Sequence, residues 1–159
     1  MLASKACINF IKGFESCRLT PYRDEGGKWT VGWGHLMQDS DPRVPLTQAE
    51  ADSLFELDLL RFEEGVTLLV LGHDLRQHEF DALVSFAFNV GLDVDQDDVA
   101  EGLGDSTLLR YVLQGKFAHA ACEFFKWVNV AGKPSLGLYR RRCGEVPMFL
   151  LADYSRGLG

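Results

Sequence analysis

Apolar residues recur at helical spacing over most of the chain, which predicts a mostly helical fold. A short first helix follows Ser4, which suits an N-cap, and its apolar face runs from Cys7 to Phe14. Glu15 falls at or just beyond the end of that helix. Further helical patterns begin after Thr47, Asp74 and Ser106, and cover residues 117–127 and 137–150.

Two of these helices begin with capping sequences. Thr47 and Glu50 form a capping box, in which each side chain accepts a hydrogen bond from the backbone amide of the other residue. The segment from Asp74 to Gln77 predicts the same arrangement before the next helix. Pro147 predicts a kink or a break in the last helix.

Residues 18–35 differ from the rest of the chain because they are rich in Thr, Tyr, Trp, Val and Gly. The sequence EGGK at residues 25–28 predicts a turn between two strands. We therefore expect a small antiparallel hairpin here, and we expect it to be the only β-structure in the chain.

Length, charge and hydropathy reduce the number of functions that the chain could have. A chain of 159 residues, 47% of them hydrophobic, has enough apolar material for one compact domain. A net charge of -7 disfavours nucleic acid as a partner, because acidic surfaces repel phosphates. No apolar stretch reaches the ~20 residues that span a bilayer, so stable membrane insertion is not expected. No signal peptide is readable at the N-terminus, which indicates synthesis in the cytoplasm.

Residues 93–105 carry six acidic residues and no basic one, which predicts a hydrated acidic loop. The D-x-D-x-D start suggests a calcium-binding loop. Asp98 and Gly104, however, stand where such a loop needs a glycine and a bidentate glutamate. A calcium site is therefore disfavoured.

The candidate chemistry lies in residues 13–36, GFESCRLTPYRDEGGKWTVGWGHL. Glu15 ends an apolar helix, where partial burial favours the protonated form of a carboxyl, and Asp24 stands in a polar turn beside Arg23 and Lys28. Glycoside hydrolysis needs this asymmetry, with one carboxyl donating a proton and the other staying ionised. Thr30, on the returning strand, could hold the attacking water. From these residues alone, two solvated surface carboxylates remain an equal alternative.

The spacing of Glu15, Asp24 and Thr30, followed by GWGH, resembles the catalytic signature of the phage-type lysozymes, the muramidases of glycoside hydrolase family 24. Further matches follow in the family's order and cover nearly the whole chain. They are Thr47 with Glu50, Ala51 and Asp52, FDALVSFAFNVG at residues 80–91, STLLR at 106–110, the stretch 124–127 and GLYRRR at 137–142.

The resemblance implies a role for each matched residue. Glu15 is the general acid, Asp24 is the general base or electrostatic partner, and Thr30 positions the water. Substrate contacts in the sugar cleft are implied for Leu36, Phe88, Leu108, Glu123 and Arg141. Arg141 is matched to the arginine that reaches the catalytic glutamate, and its neighbour Arg140 stays an alternative.

The resemblance also implies an α+β, mostly α, two-lobed lysozyme-like fold. We expect one domain over residues 1–159, with an N-terminal lobe of about residues 1–60 that contains the hairpin at 18–35. The helical C-terminal lobe would cover about residues 61–159, with no separate cell-wall-binding domain. The implied activity is hydrolysis of the β-1,4 bond between N-acetylmuramic acid and N-acetylglucosamine, by an inverting route without cofactor or metal.

The implied partner is bacterial peptidoglycan, and the enzyme is expected to be a monomer. Without a readable signal peptide, it would depend on a holin or an export system to act on the wall in the periplasm. Two alternatives are a lysozyme-like antibacterial effector delivered to rival cells and a catalytically silent peptidoglycan-binding protein.

The four cysteines show no CxxC spacing, which favours reduced thiols. Cys7 and Cys17 lie on either side of Glu15, however, and some members of the resembled family control activity by disulfide exchange near this acid. A redox switch is therefore the alternative to two small, partly buried thiols.

Overall fold

The computed structural model describes residues 1–24, 27–94, 101–130 and 132–155. In these residues it contains six α-helices and two small antiparallel sheets, which confirms the predicted mostly helical α+β fold. The elements in chain order are α1 Lys5–Lys12, β1 Arg18–Arg23, β2 Trp29–Gly32, β3 His35–Leu36, α2 Gln48–Leu69, α3 Gln77–Val90, α4 Thr107–Leu113, α5 Phe117–Phe124, β4 Asn129–Val130, β5 Lys133–Pro134 and α6 Leu136–Leu151.

The chain divides into two compact units. The first, which we call the sheet unit, is Ile11–Arg61 and contains β1, β2 and β3. The second, the helical unit, joins Met1–Phe10 to Phe62–Gly159 and contains α3 to α6. The first ten residues thus belong to the helical unit, although the sequence analysis grouped them with the N-terminal lobe.

The predicted hairpin is present in the sheet unit, and a third short strand extends it. The strand order is β1-β2-β3, and Thr30 in the central strand pairs with Tyr22 on one side and Leu36 on the other. A register shift separates Arg18 from Tyr22, in the part of β1 that contains Pro21. Proline has no backbone N–H for the ladder, so an irregularity is expected there.

The helix starts follow the predicted capping signals in three cases. Ser4 accepts a hydrogen bond from the Cys7 amide (3.2 Å), and Ser106 accepts one from the Leu109 amide (3.0 Å). At the start of α2, the Glu50 carboxylate accepts from the Thr47 amide (2.7 Å), and these contacts lower the pKa of Glu50.

The capping prediction at Asp74 was wrong, because α3 begins at Gln77. The Glu79 carboxylate reaches back to the Arg76 amide (2.7 Å) and also pairs with the Arg76 guanidinium (2.6 Å). An ionised carboxylate is a stronger acceptor than the amide oxygen of Gln77, so the cap forms two residues later than predicted.

Three further expectations about the helical unit need correction. A second sheet, β4 with β5, exists, because Gly132 adopts a φ of +76° and allows a tight turn between two-residue strands. The helix expected over residues 117–127 ends at Phe124. Helix α6 continues through Pro147 to Leu151, because the buried side chains of Met148 and Phe149 hold the last turn against the core in spite of the one backbone hydrogen bond that proline cannot donate.

The core of the helical unit is built mainly from aromatic and aliphatic residues of α3, α5 and α6. Phe86 contacts Phe124 with ring centroids 5.2 Å apart, and Phe124 contacts Phe149 at 5.6 Å. These side chains are essentially fully buried, as are Phe80 and Leu83. On α3, the buried residues Phe80, Leu83 and Phe86 follow the helical periodicity that the sequence predicted.

The acidic segment at residues 93–105 is described only at its ends. The Asp93 carboxylate accepts hydrogen bonds from the amides of Glu101 (2.8 Å) and Gly102 (3.0 Å), and Leu103 is fully buried. The calcium loop considered for this segment lies mostly outside the described residues.

Candidate active site

Glu15 and Asp24 line one cavity in the sheet unit, of about 380 Å³. The structure therefore brings together the two carboxyls that the sequence analysis singled out. Its described lining consists of Phe14, Glu15, Ser16, Arg18, Tyr22, Arg23, Asp24 and Gly34.

Glu15 is placed by the end of α1. The backbone amides of Phe14 and Glu15 both donate to the Ile11 carbonyl, at 2.9 and 3.3 Å, and so close the last turn. The Glu15 side chain is half-buried, beside the half-buried Phe14 in the cavity wall. The predicted position of this carboxyl at a helix end is confirmed.

Asp24 is held by the turn that follows β1. Its Oδ1 accepts a hydrogen bond from the Lys28 amide (2.8 Å), and its own amide donates to the Lys28 carbonyl (2.9 Å). The Gly27 amide closes the turn on the Asp24 carbonyl (2.9 Å), with Gly27 at a φ of +77°. Within the described part of the chain, nothing hydrogen-bonds to Asp24 Oδ2, so this oxygen is available to accept a hydrogen bond from water.

Thr30 lies on β2, and its side chain is buried, with only 3% exposure. Its hydroxyl donates to the Lys28 carbonyl at 3.3 Å, which leaves the hydroxyl oxygen able to accept a hydrogen bond. Thr30 pairs with Tyr22, which is two residues before Asp24, so strand alternation puts Thr30 and Asp24 on the same face of the hairpin. The described cavity lining does not include Thr30.

Asp52 on α2 connects three parts of the sheet unit. Its Oδ1 accepts hydrogen bonds from Lys12 Nζ (2.7 Å), Trp33 Nε1 (2.7 Å) and Gln48 Nε2 (3.2 Å). Lys12 also lies 5.0 Å from the Trp33 ring centroid. Asp52 thereby links the end of α1, just before Glu15, to the turn after β2 that carries Gly34.

Lys12 and Trp33 lower the pKa of Asp52 through their hydrogen bonds, with the Lys12 bond contributing most. The pKa of Asp52 is therefore lower in the folded protein than in the unfolded chain, where it is about 4. The ionised form of Asp52 stabilises the fold fully above that unfolded pKa, and this stabilisation is lost as the pH falls through the lowered folded-state pKa. Asp52→Asn should therefore reduce the Tm by a few degrees at neutral pH and by much less in acid.

Thermal unfolding, followed by circular dichroism at several pH values, tests this prediction. Asp39→Asn is the control, because Asp39 is exposed. An equal Tm loss at all pH values would contradict the prediction.

His35 on β3 forms a hydrogen bond to helix α2. Its Nδ1 lies 2.9 Å from the Asp58 carboxylate on α2. The contact fixes β3 to α2 within the sheet unit. Leu36, the next residue, is predicted to contact substrate and is 49% exposed.

The other predicted substrate contacts all belong to the helical unit. Phe88 on α3 is half-buried and packs on Phe62, with ring centroids 5.2 Å apart. Leu108 on α4 is fully buried, so its side chain packs in the core of this unit. Glu123 on α5 pairs with Lys126 at 2.8 Å and lines a separate cavity of about 300 Å³ with Tyr111.

Burial separates the two candidate arginines on α6. Arg141 is 3% exposed, and its Nη2 donates to the Ser85 carbonyl (3.1 Å), whereas Arg140 is exposed. Of these two candidates, Arg141 is therefore the one whose side chain lies inside the helical unit.

The sequence analysis assigned no role to Arg18, Tyr22 and Arg23, although the structure places all three in the wall of the cavity that holds Glu15 and Asp24. The sequence signal for these three residues was their position within residues 13–36, the segment that carries the candidate chemistry. Hairpin residues that flank a candidate catalytic carboxyl on the same strand are natural candidates for the wall of its cavity.

Cys7 is fully buried, and its Sγ donates to the Asp81 carbonyl at 3.3 Å. Burial strongly raises the pKa of the Cys7 thiol, which suppresses the thiolate that disulfide exchange requires. All four cysteines are free thiols. These observations favour the core-thiol interpretation of Cys7 over a redox switch.

No group of three His, Cys, Asp or Glu residues in the described ranges is arranged to hold a metal ion. No described helix is both long and apolar enough to cross a membrane.

Comparison with known proteins agrees with the resemblance seen in the sequence. The model of the phage lysozyme family matches residues 12–145. The endolysin of Bacillus phage B103 is 40% identical over 155 residues, which cover 96% of this chain and 56% of that protein. The endolysin of Acyrthosiphon pisum secondary endosymbiont phage 1 is 31% identical and is matched over 94% of this chain and 98% of its own length.

Solved structures give the same result. The muramidase domain of SpmX from Asticaccaulis excentricus superposes with a TM-score of 0.79 at 34% identity, covering 92% of this chain and 96% of that domain. The endolysin from Escherichia coli O157:H7 phage FAHEc1 superposes with a TM-score of 0.80 at 30% identity, covering 96% and 95%. The chain spans a little more than half the length of the Bacillus phage endolysins, at 56% and 55%. It belongs to the phage lysozyme family.

Proposed function

We propose that this protein is a muramidase of the endolysin type, which hydrolyses the β-1,4 bond between N-acetylmuramic acid and N-acetylglucosamine in bacterial peptidoglycan. The observation that carries the proposal is the single cavity lined by Glu15 and Asp24. Membership of the phage lysozyme family and similarity to a muramidase domain and to endolysins support it.

In the proposed reaction, Glu15 donates its proton to the glycosidic oxygen as the bond from that oxygen to the anomeric carbon breaks. A water molecule attacks the anomeric carbon from the opposite face and loses its proton to Asp24. The positions of the two carboxyls suit these roles. Glu15 is half-buried beside Phe14 in the cavity wall, and Asp24 is held in its turn by the hydrogen bond from the Lys28 amide.

We propose an inverting stereochemistry, in which Thr30 accepts a hydrogen bond from the attacking water. This scheme requires roughly 6.5–9.5 Å between the two carboxyls, so that water fits between Asp24 and the sugar. Nuclear magnetic resonance of the first-formed products gives a direct test. Inversion produces the α-anomer at the new reducing end, and an initial β-anomer would show retention instead.

Thr30→Ala should lower kcat on purified peptidoglycan by roughly 10- to 100-fold, because a misplaced water loses the orientation on which attack depends. KM should change little, since this hydroxyl contacts the water and not the sugar. Thr20→Ala is the matched control, because Thr20 is an exposed threonine on β1 of the same hairpin. Thr30→Ser should recover most of the rate. A loss of the same size in Thr20→Ala, or no loss in Thr30→Ala, would contradict the role.

The proposed activity is tested by loss of turbidity in a suspension of purified peptidoglycan. The wild-type protein should clear the suspension and release new reducing sugars. A catalytically silent binding protein would instead sediment with the peptidoglycan without clearing it. The two outcomes distinguish the enzyme from the binding alternative.

We propose that the biological role is degradation of the host wall by a monomer made in the cytoplasm, with a holin or an export system providing access to the periplasm. The endolysin relatives support this role over delivery to rival cells as an effector. Expression in a bacterial host with and without a holin tests it. Lysis should require the holin, and lysis without it would indicate another route to the wall.

A further inference from the structure

Two arginines share the cavity with Glu15 and Asp24, and each is stacked on an aromatic ring. Arg18 Cζ lies 4.4 Å from the centroid of the Tyr22 ring. Arg23 Cζ lies 4.8 Å from the centroid of the Trp29 ring. Stacking restrains a guanidinium while its edge stays accessible, so these exposed side chains are more ordered than free surface arginines.

The hydrogen-bonding capacity of both arginines is largely unused by the protein. Arg23 donates from Nη1 to the Gly27 carbonyl at 2.6 Å. In the described part of the chain, the Arg18 side chain makes no hydrogen bond, and neither guanidinium lies within ion-pair distance of a carboxylate. Because a guanidinium has five N–H donors in a planar fork, each side chain can still bind an anion through two parallel hydrogen bonds.

The charge of the protein makes these two cations significant. The net charge of -7 repels an anionic substrate at long range, and the carboxylate of Asp24 adds a negative charge inside the cavity. Peptidoglycan is anionic because its peptide stems carry free carboxylates. Arg18 and Arg23 place two positive charges beside the carboxyls that would cleave the glycan.

We propose that Arg18 and Arg23 form a subsite that binds a free carboxylate of the peptide stem next to the scissile bond. The protein would therefore distinguish glycan strands whose stems carry free carboxylates from strands whose stems are amidated. This specificity rests on the proposed muramidase function, whose site it extends.

Steady-state hydrolysis of two substrates tests the subsite. One is peptidoglycan stripped of phosphate-bearing polymers, so that carboxylates are its only anions, and the other is the same material with its carboxyls converted to carboxamides. For the double variant Arg18→Gln/Arg23→Gln, KM on the first substrate should rise roughly tenfold while kcat stays within about twofold. On the amidated substrate, KM should be the same for wild type and variant.

Two matched variants separate the subsite from a general effect of charge. Arg110→Gln removes an exposed arginine of the helical unit and should leave both KM values unchanged. Arg18→Lys/Arg23→Lys keeps the charge but loses the planar fork, so it should recover only part of the affinity. A rise in KM of equal size on both substrates, or no rise on either, would overturn the proposal.

A binding measurement keeps this result independent of catalysis. In a Glu15→Gln background, co-sedimentation with the two substrates should show tighter binding to the free-carboxylate form, and Arg18→Gln/Arg23→Gln should remove that preference. Equal binding to both forms would overturn the subsite even where the wild type hydrolyses peptidoglycan. If the wild type fails to hydrolyse either substrate but the binding preference is present, the muramidase proposal fails and the carboxylate subsite stands.

Discussion

Replacement of Glu15 by glutamine is expected to lower kcat on purified peptidoglycan by about 10³-fold or more, because glutamine cannot donate the proton that the leaving oxygen needs. The amide has nearly the same shape as the carboxyl, so the variant should still fold and still sediment with peptidoglycan. Turbidity clearing and release of reducing sugars measure the rate, and circular dichroism confirms the fold.

The matched control for this loss is Glu56→Gln, since Glu56 is an exposed glutamate on α2 of the same unit. It undergoes the same chemical change and should clear peptidoglycan at the wild-type rate. If Glu15→Gln and the wild type clear peptidoglycan at the same rate, Glu15 is not the general acid. The two carboxyls would then have to be interpreted as surface groups, the alternative that their residue types alone leave open.

The largest effect on stability is expected at Glu145, which is fully buried among the helices of the helical unit. Its carboxylate pairs with Arg141 Nε (3.2 Å) and with Arg142 Nη1, and it accepts a hydrogen bond from Ser85 Oγ (2.7 Å). Arg142 also donates to the Asn89 side chain. Burial lowers the pKa of Arg142, and the Glu145 charge opposes that shift.

Glu145→Gln should therefore lower the free energy of unfolding by about 3–5 kcal/mol, because it removes a buried carboxylate charge that pairs with two buried guanidinium groups. For a chain of this size, the Tm should fall by roughly 10 °C. Urea denaturation and thermal scans measure the change. Glu64→Gln provides the control, since Glu64 is exposed on α2 in the same unit. A Tm within about two degrees of wild type in Glu145→Gln would contradict the prediction.

The local structure around the site was predictable from sequence because short-range rules determine it. Thr47 and Glu50 are three residues apart, so their capping box needs no knowledge of the rest of the fold. The hairpin followed from β-forming residues on both sides of a glycine-containing turn. The hairpin places Asp24 and Thr30, and the resemblance to the phage-type lysozymes singled these residues out before the structure was known.

The sequence predictions were wrong where local signals competed, where an element was too short to recognise, or where packing overrode a local signal. Asp74 and Glu79 both offer a carboxylate near the start of α3, and only the structure shows that Glu79 contacts the Arg76 amide. Strands β4 and β5 have two residues each, too few for an alternating pattern to be recognised. Pro147 predicted a kink or a break, but the core packing of the buried Met148 and Phe149, which local sequence rules do not include, keeps the last turn helical.

Other features depended on tertiary packing, which sequence spacing does not encode. Arg140 and Arg141 are identical in type and adjacent, and burial alone separates them. The buried group of Glu145 with Arg141 and Arg142 joins residues of α6 to Ser85 on α3, far away in sequence. The cation–aromatic pairs of Arg18 and Arg23 likewise became visible only with the side chains in place.

The most direct test of the central claim is the chemical identity of the new ends that the wild-type protein produces. Peptidoglycan digested by the protein, reduced and separated for mass spectrometry, should yield fragments that end in reduced N-acetylmuramic acid. That product requires water to cleave the bond on the muramic acid side, as the roles of Glu15 and Asp24 demand. Fragments that end in reduced N-acetylglucosamine, or in an anhydro sugar that cannot be reduced, would contradict the account.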